Sequence, residues 1–166
     1  DAGALPIIHH PDVRRMLLWM RTATEAMRAL AYYASGTIDR GRHLSEPAAR
    51  RAAERRADLL IPVVKAWCTD VGVDLASIGI QIHGGMGYIE ETGAAQYLRD
   101  SRIAPIYEGT NGIQAIDLVC RKIPLGNGAV VAALLPALND SGESKPRKKP
   151  FLFSFVSSSS RRKRCG

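Results

Sequence analysis

A glutamate between an aromatic ring and a glycine is the side chain in this sequence best suited to act as a general base. Glu108 stands between Tyr107 and Gly109 in residues 106–114, which read IYEGTNGIQ. Apolar neighbours at the start of a helix would raise the pKa of this carboxyl group towards neutrality by desolvation. Because most loop glutamates are simply solvated, Glu108 taken alone remains only a candidate.

A second segment, residues 81–88 with the sequence QIHGGMGY, carries a glycine cluster that could lie close to a ligand. Gly84 and Gly85 lack side chains, so their backbone N–H groups could face an anion directly. A helix that ends in a turn would explain the same glycines. This segment alone therefore leaves a cofactor contact and a helix end equally open.

A long helix is predicted on the N-terminal side of both segments. Apolar residues recur with helical spacing from Val13 to Ala34, so one stripe of this helix should be buried. Pro11 suits its first turn, where the missing N–H group is harmless. Gly36 or Gly41 is expected to mark its end.

A second long helix is predicted to begin after Ser45, a residue type that often caps helix N-termini. Pro62 should either kink this helix or divide it in two. The helix should stop at a loop formed by residues 84–87. Shorter helices are predicted for residues 90–100, 113–122 and 129–138. No alternating strand pattern is present, so the expected fold class is an all-α antiparallel bundle.

The net charge of +7 does not by itself indicate a nucleic-acid-binding protein, because all of it comes from one end of the chain. Residues 141–166 contain eight Lys and Arg residues and one acidic residue, whereas residues 1–140 are neutral. This Ser-rich basic tail is predicted to be disordered. The expected organisation is a helical domain over residues 1–125, a short helical extension over residues 126–140, and the tail. The sequence has no apolar run long enough to span a membrane, and its three cysteines lack metal or redox spacing.

Taken together, the two glycine-containing segments and the helix between them resemble the signature of the acyl-CoA dehydrogenase family. Residues 97–102, YLRDSR, also resemble that family's helix with its Arg-Asp pair. The resemblance extends from about residue 7 to residue 125. Residues 5–16 are similar to the larger-subunit branch, which includes the 3-methylmercaptopropionyl-CoA dehydrogenases. Only the family's C-terminal helical domain is represented.

The resemblance implies α,β-dehydrogenation of an acyl-CoA thioester, with Glu108 as the base that removes the α-proton while the β-hydride passes to FAD. In the family, the developing enolate oxygen is stabilised by the backbone N–H group of the base and by a flavin hydroxyl group. The other matched positions are Gln81, Gly84 and Gly85 for the FAD of a neighbouring subunit, Thr110 for the FAD of the same subunit, and Tyr107 and Gly109 for the substrate. No metal site is expected.

The resemblance also implies a larger enzyme with an N-terminal helical domain and a middle β-domain. The present chain is therefore expected to be incomplete and inactive by itself. Its implied partners are an acyl-CoA substrate and an electron-transfer flavoprotein or similar acceptor, within a homodimer or homotetramer. The implied location is the bacterial cytoplasm or the mitochondrial matrix, without secretion. The alternative is a non-catalytic helical scaffold or oligomerisation domain whose basic tail binds nucleic acid or an acidic partner; the lack of interleaved aromatic residues makes nucleic acid the weaker choice.

Overall fold

The computed structural model describes residues 5–142, and in that range its regular secondary structure is entirely helical, with no β-strand. The predicted all-α fold class is thus confirmed. The chain divides into two compact units, the first ending at Val130 and the second beginning at Val131. The predicted disordered tail lies, from residue 143 onwards, outside the described residues. None of the helices in the described residues is long and apolar enough to cross a membrane.

Six α-helices follow one another along the described chain, with short 3-10 turns at Ile7–His9 and Glu90–Thr92. A π-helical turn, Leu118–Lys122, continues directly from α5. The α-helices are α1 (Pro11–His43), α2 (Pro47–His83), α3 (Gly85–Tyr88), α4 (Ala94–Arg102), α5 (Asn111–Asp117) and α6 (Ala129–Gly142).

Helices α1 and α2 form an antiparallel pair that carries the rest of the first unit. Tyr33, late in α1, lines the same small cleft as Ala49, early in α2. Ala23, earlier in α1, packs against Val71 and Leu75, late in α2, to form the buried core cluster. Helices α3, α4 and α5 all contact α2. Because α2 contacts every one of these helices, it supports both candidate site segments.

The predicted end of α1 at a glycine is wrong, since the helix continues through Gly36 and Gly41 to His43. Gly41 is buried where α1 meets α2, and a Cβ atom there would lie 3.1 Å from Cγ of Glu54. This glycine therefore allows two helices to approach each other closely. Leu44 then leaves the helix with extended backbone angles, so no left-handed cap is required.

The predicted N-cap of α2 is also wrong, because Glu46 rather than Ser45 caps this helix. The carboxylate of Glu46 accepts hydrogen bonds from the backbone N–H groups of Ala48, at 2.8 Å, and Ala49. These bonds lower the pKa of Glu46, the bond from Ala48 contributing most. A longer carboxylate side chain can thus satisfy two free helix donors where serine would satisfy one.

Pro62 does not divide α2, which continues unbroken past it. Pro62 is the most deeply buried large side chain of the described residues, with less than 2 % of its surface exposed. Proline removes one helical hydrogen bond. The burial of Pro62 itself and of Leu59 and Leu60 just before it offsets that loss, because packing supplies most helical stability in proteins.

Several shorter elements differ from the prediction at their ends. The expected loop at residues 84–87 contains the single turn α3, and the helix expected from residue 90 begins only at Ala94, after a 3-10 turn. Gly93 separates the 3-10 turn from α4 with a left-handed backbone, φ 75°. The helix expected over residues 113–122 is present, but it begins at Asn111 and widens into the π-helical turn. A helix is also present where one was expected after residue 128.

Candidate functional site

Glu108 lies in a loop just before α5, as expected, and its backbone has an unusual conformation. Its φ angle is 53° and that of Gly109 is 85°, so two successive residues are left-handed. For a residue with a side chain this conformation costs about 1–2 kcal/mol, and such residues are concentrated at functional sites. The side chains of Glu108 and its neighbour Tyr107 are exposed, so the described residues do not supply the apolar surroundings expected around the carboxyl group.

The loop that carries Glu108 is closed by backbone hydrogen bonds at both of its ends. The N–H groups of Ile106 and Tyr107 donate to the carbonyl oxygen of Ile103, at 2.9 and 3.1 Å. The N–H group of Asn111 donates across the loop to the carbonyl oxygen of Pro105, at 3.0 Å. Within residues 5–142 the backbone N–H group of Glu108 itself has no hydrogen-bond partner. The loop thus presents both a carboxylate and a free donor.

Thr110 is the N-cap of α5. Its Oγ1 accepts a hydrogen bond from the N–H group of Ile113 at 3.3 Å, and its carbonyl oxygen accepts one from Gln114 at 3.0 Å. The side-chain amide of Gln114 reaches back and donates to the carbonyl oxygen of Gly109 at 3.4 Å. The start of α5 and the Glu108 loop are therefore a single hydrogen-bonded unit.

Asn111 is the residue next to this site that the sequence reasoning missed. Its half-buried side-chain amide forms hydrogen bonds with two successive turns of α2. The partners are Lys65, Ala66, Thr69 and Asp70. The sequence did contain a sign of this contact, because the polar residues Lys65, Thr69 and Asp70 lie close together in an otherwise apolar part of α2. Without the fold, however, nothing indicated which loop they would face.

The other candidate segment forms the end of α2 and the turn α3. Gly84 terminates α2 with φ 64° and ψ −148°, angles that a residue with a Cβ atom rarely adopts. Nothing lies within 4 Å of the position a Cβ atom would take at Gly84 or at Gly85. Gln81 is exposed on the last turn of α2. The structure thus leaves the backbone of both glycines open to approach, beside an exposed amide.

Gly87 holds this turn against α2, another role that the sequence reasoning did not assign. It is buried, and a Cβ atom there would lie only 2.4 Å from the carbonyl oxygen of Ile80 and 2.8 Å from Cβ of His83. The hydroxyl group of Thr92 closes the far side by donating to the carbonyl oxygen of Met86 at 2.6 Å. The turn that exposes Gly84 is consequently packed from both sides.

The two candidate segments do not come together in this chain. Helices α3 and α5 make no contact among the described residues, although both contact α2. The Asn111 contacts lie at residues 65–70 of α2 and the glycines follow residue 83, which at 1.5 Å per residue separates them by roughly 20 Å. Gln81, Gly84 and Gly85 therefore form one surface, and Tyr107, Glu108, Gly109 and Thr110 form another.

An open cleft of about 410 Å³ lies between α2 and the Glu108 loop. Its walls include Asp70 and Asp74 from α2, Arg102 from α4, and Ile106 and Thr110 from the loop. A second open groove, of about 470 Å³, runs between α1, α2 and α4 and is mainly apolar. No group of three or more His, Cys, Asp or Glu side chains is arranged for metal binding in the described part of the chain.

Comparison with known proteins agrees with the helical architecture. A family model for the acyl-CoA dehydrogenase C-terminal domain matches residues 2–122. A 3-methylmercaptopropionyl-CoA dehydrogenase from Ruegeria pomeroyi is 58% identical over 120 residues, 72% of this chain and 20% of that protein. A butyryl-CoA dehydrogenase from Syntrophomonas wolfei is 37% identical over 81% of this chain and 22% of its own length.

A broad-specificity linear acyl-CoA dehydrogenase from Mycobacterium tuberculosis is 33% identical over 89% of this chain and 25% of its own length. The chain thus spans only about a fifth to a quarter of the length of these relatives. The match to the family model nevertheless covers most of the chain, including both candidate segments. The chain therefore belongs to the acyl-CoA dehydrogenase family, of which residues 2–122 represent the C-terminal domain.

Proposed function

We propose that this chain is the C-terminal part of an FAD-dependent acyl-CoA dehydrogenase in which Glu108 removes the α-proton of an acyl-CoA thioester. The observation that carries the proposal is the conformation of Glu108. Its left-handed backbone places an exposed carboxylate and an unpaired backbone N–H group in one short loop. A left-handed residue with a side chain is uncommon and occurs preferentially at functional sites, and a base paired with an oxyanion donor requires both groups.

The chain's own residues fit a flavin cofactor at the positions that the family resemblance implies. Gly84 and Gly85 have open space where side chains would stand, so a phosphate-bearing ligand could contact their backbone. The exposed Gln81 offers both a donor and an acceptor beside them. Thr110 lies on the other surface, next to Glu108. The separation of the two surfaces along α2 supports an arrangement in which each contacts a different subunit's FAD.

The proposed mechanism assigns the proton to the carboxylate of Glu108 and the thioester oxygen to its backbone N–H group. Proton removal from carbon leaves negative charge on that oxygen, and a fixed N–H donor stabilises this charge in the transition state more than in the ground state. Gly109, at φ 85°, turns the chain directly after the base so that both groups can face one ligand. Bound FAD would supply the acceptor for the hydride that leaves the β-carbon.

The substrate class and partners are proposed on the same basis. The names of the relatives describe dehydrogenases of acyl-CoA thioesters, which supports an acyl-CoA substrate here. An electron-transfer flavoprotein or similar acceptor would reoxidise the flavin. A homodimer or homotetramer would bring the Gln81 surface of one subunit to the flavin of another.

A chimeric enzyme tests the role of Glu108. Residues 2–122 of this chain would replace the matching segment of the Ruegeria pomeroyi 3-methylmercaptopropionyl-CoA dehydrogenase. Glu108→Gln should lower dye-coupled turnover by about 10²–10⁴-fold, because the amide cannot accept the proton. The flavin spectrum should be unchanged. Glu91→Gln, the same chemical change at another exposed position, is the matched control and should retain turnover.

Two outcomes would contradict the proposal. Near wild-type turnover by Glu108→Gln would place the base elsewhere and leave Glu108 as an ordinary loop residue. Loss of bound flavin in this variant, with the control intact, would make the role of Glu108 structural rather than catalytic.

A further inference from the structure

The side chain of Asn111 connects the loop that carries Glu108 to the long helix α2. Its Oδ1 accepts a hydrogen bond from the ammonium group of Lys65 at 2.8 Å. Its Nδ2 donates to the carboxylate of Asp70 at 2.7 Å, to Oγ1 of Thr69 at 3.0 Å and to the carbonyl oxygen of Ala66 at 3.1 Å. Both ends of one amide are thereby engaged by two successive turns of α2.

The chemistry of this contact requires an amide rather than a carboxylate or a hydroxyl group. The oxygen of Asn111 faces a cation at Lys65, and its nitrogen faces an anion at Asp70. Hydrogen bonds to charged partners are about twice as strong as those between neutral groups. An aspartate would set a second carboxylate against Asp70, and a serine could not reach both partners. The contact is therefore specific in polarity as well as in shape.

Among the hydrogen bonds and ion pairs of the described residues, every one that joins residues 103–113 to α2 passes through Asn111. The backbone of the same residue closes the Glu108 loop by donating to the carbonyl oxygen of Pro105. Asn111 thus closes the loop through its backbone and attaches the loop to α2 through its side chain. Glu108 is three residues away and has a strained backbone, so it depends on this attachment for a fixed direction.

We propose that Asn111 is a positioning residue for Glu108, one that sets the direction of the carboxylate and of its N–H group through the contact with α2. The inference rests on the proposed function of Glu108. Proton abstraction requires the reacting atoms to be held about 3–3.5 Å apart, and a displacement of about 1 Å can cost 10²-fold in rate. The amide of Asn111 is engaged by α2, so its assigned role is to position Glu108 and not to take part in the proton transfer.

The test uses the chimeric enzyme described above with Asn111→Ala. We expect kcat to fall about 10–100-fold while KM changes little. The isotope effect on kcat for an α-deuterated acyl-CoA should rise, because proton abstraction becomes a larger part of the rate. A merely structural defect would reduce the fraction of active enzyme without changing that isotope effect.

Lys122→Ala is the matched control, because the ion pair of Lys122 with Asp58, at 3.7 Å, also ties the region after the loop to α2. It lies beyond α5 and should leave kcat and the isotope effect unchanged. Asp70→Ala removes the charged acceptor of the Asn111 contact on the exposed side of α2, so it remains informative if Asn111→Ala does not fold. It should lower kcat a few-fold and raise the isotope effect.

An unchanged kcat and isotope effect in Asp70→Ala would overturn the proposal, as would the same result in a folded Asn111→Ala enzyme. Equal losses in Lys122→Ala would also overturn it, since any tie to α2 would then suffice. If Glu108→Gln is inactive while the Asn111 and Asp70 variants are normal, only the positioning role fails. If Glu108→Gln is active, the proposed base itself fails.

Discussion

Gly87→Ala is expected to destabilise the chain strongly for so small a substitution. The added methyl group would have no room between α3 and α2. The new Cβ atom would lie 2.4 Å from the carbonyl oxygen and 3.0 Å from Cα of Ile80, and 2.8 Å from Cβ of His83. All three atoms belong to α2 or are fixed directly to its backbone, so they cannot rotate aside. The turn α3 must therefore move away from α2.

The expected loss follows from the overpacking of a buried site. Inserting one methylene or methyl group into a packed interior typically costs about 1–3 kcal/mol. Contact with backbone atoms places Gly87→Ala at the upper end, about 3 kcal/mol, which is roughly a 150-fold change in the unfolding equilibrium constant. The loss should be local in origin, so amide exchange should quicken most over residues 84–93.

Gly79→Ala provides a matched control with the opposite expected sign. It makes the same substitution within α2, at a position where nothing lies within 4 Å of the new atom. Alanine is favoured over glycine inside a helix by about 0.5–1 kcal/mol, so this variant should be slightly more stable than the wild type. The measurement is urea unfolding of the 166-residue chain followed by circular dichroism. If the two variants changed stability equally, the close approach of α3 to α2 would be refuted.

Three further predictions concern the cap of α2, the core and the isolated chain. Because hydrogen bonds from Ala48 and Ala49 lower the pKa of Glu46 below its ordinary value of 4.5, the cap should stabilise the fold at neutral pH and lose this effect as the pH falls through the lowered pKa. The gap in urea midpoint between wild type and Glu46→Gln should accordingly be larger at pH 7 than at pH 3. Leu75→Ala, in the core cluster, should lower the free energy of unfolding by about 2–5 kcal/mol, and a loss below 1 kcal/mol would mean that α1 and α2 do not pack there. The 166-residue chain mixed with FAD and acyl-CoA should show no dye-coupled turnover, because the described residues leave Glu108 exposed; turnover at the rate of a full-length relative would contradict this.

Local signals in the sequence were sufficient for the helix content and for the position of the candidate base. The spacing of apolar residues from Val13 to Ala34 predicts α1, and the buried positions of that helix, such as Met16 and Ala23, lie on the expected stripe. The loop around Glu108 follows from its glycines and from the helix that comes after it. Period and turn chemistry depend only on neighbouring residues, so they can be read without the fold.

The positions of the helix ends, and whether a helix continues through a glycine or proline, depended on tertiary packing. They could not be predicted from neighbouring residues alone. Gly41 lies inside α1 because Glu54 of α2 packs against it, and Pro62 lies inside α2 because it is buried. Taken by sequence alone, each of these residues is a stop signal. The free energy of packing exceeds the local preference at both positions, and that energy depends on the burial that the tertiary structure provides.

The candidate site, too, was determined partly by the sequence and partly by the tertiary structure. Residue types and spacing alone determined that Glu108 could be a base and that Gly84 and Gly85 could meet a ligand. Only the tertiary structure decided that the two segments lie apart on α2, that Gly87 packs the glycine turn, and that Asn111 fastens the Glu108 loop. A side chain's chemistry is a property of its residue, whereas its direction and its partners are set by tertiary contacts, some of them between residues more than forty positions apart, such as Lys65 and Asn111.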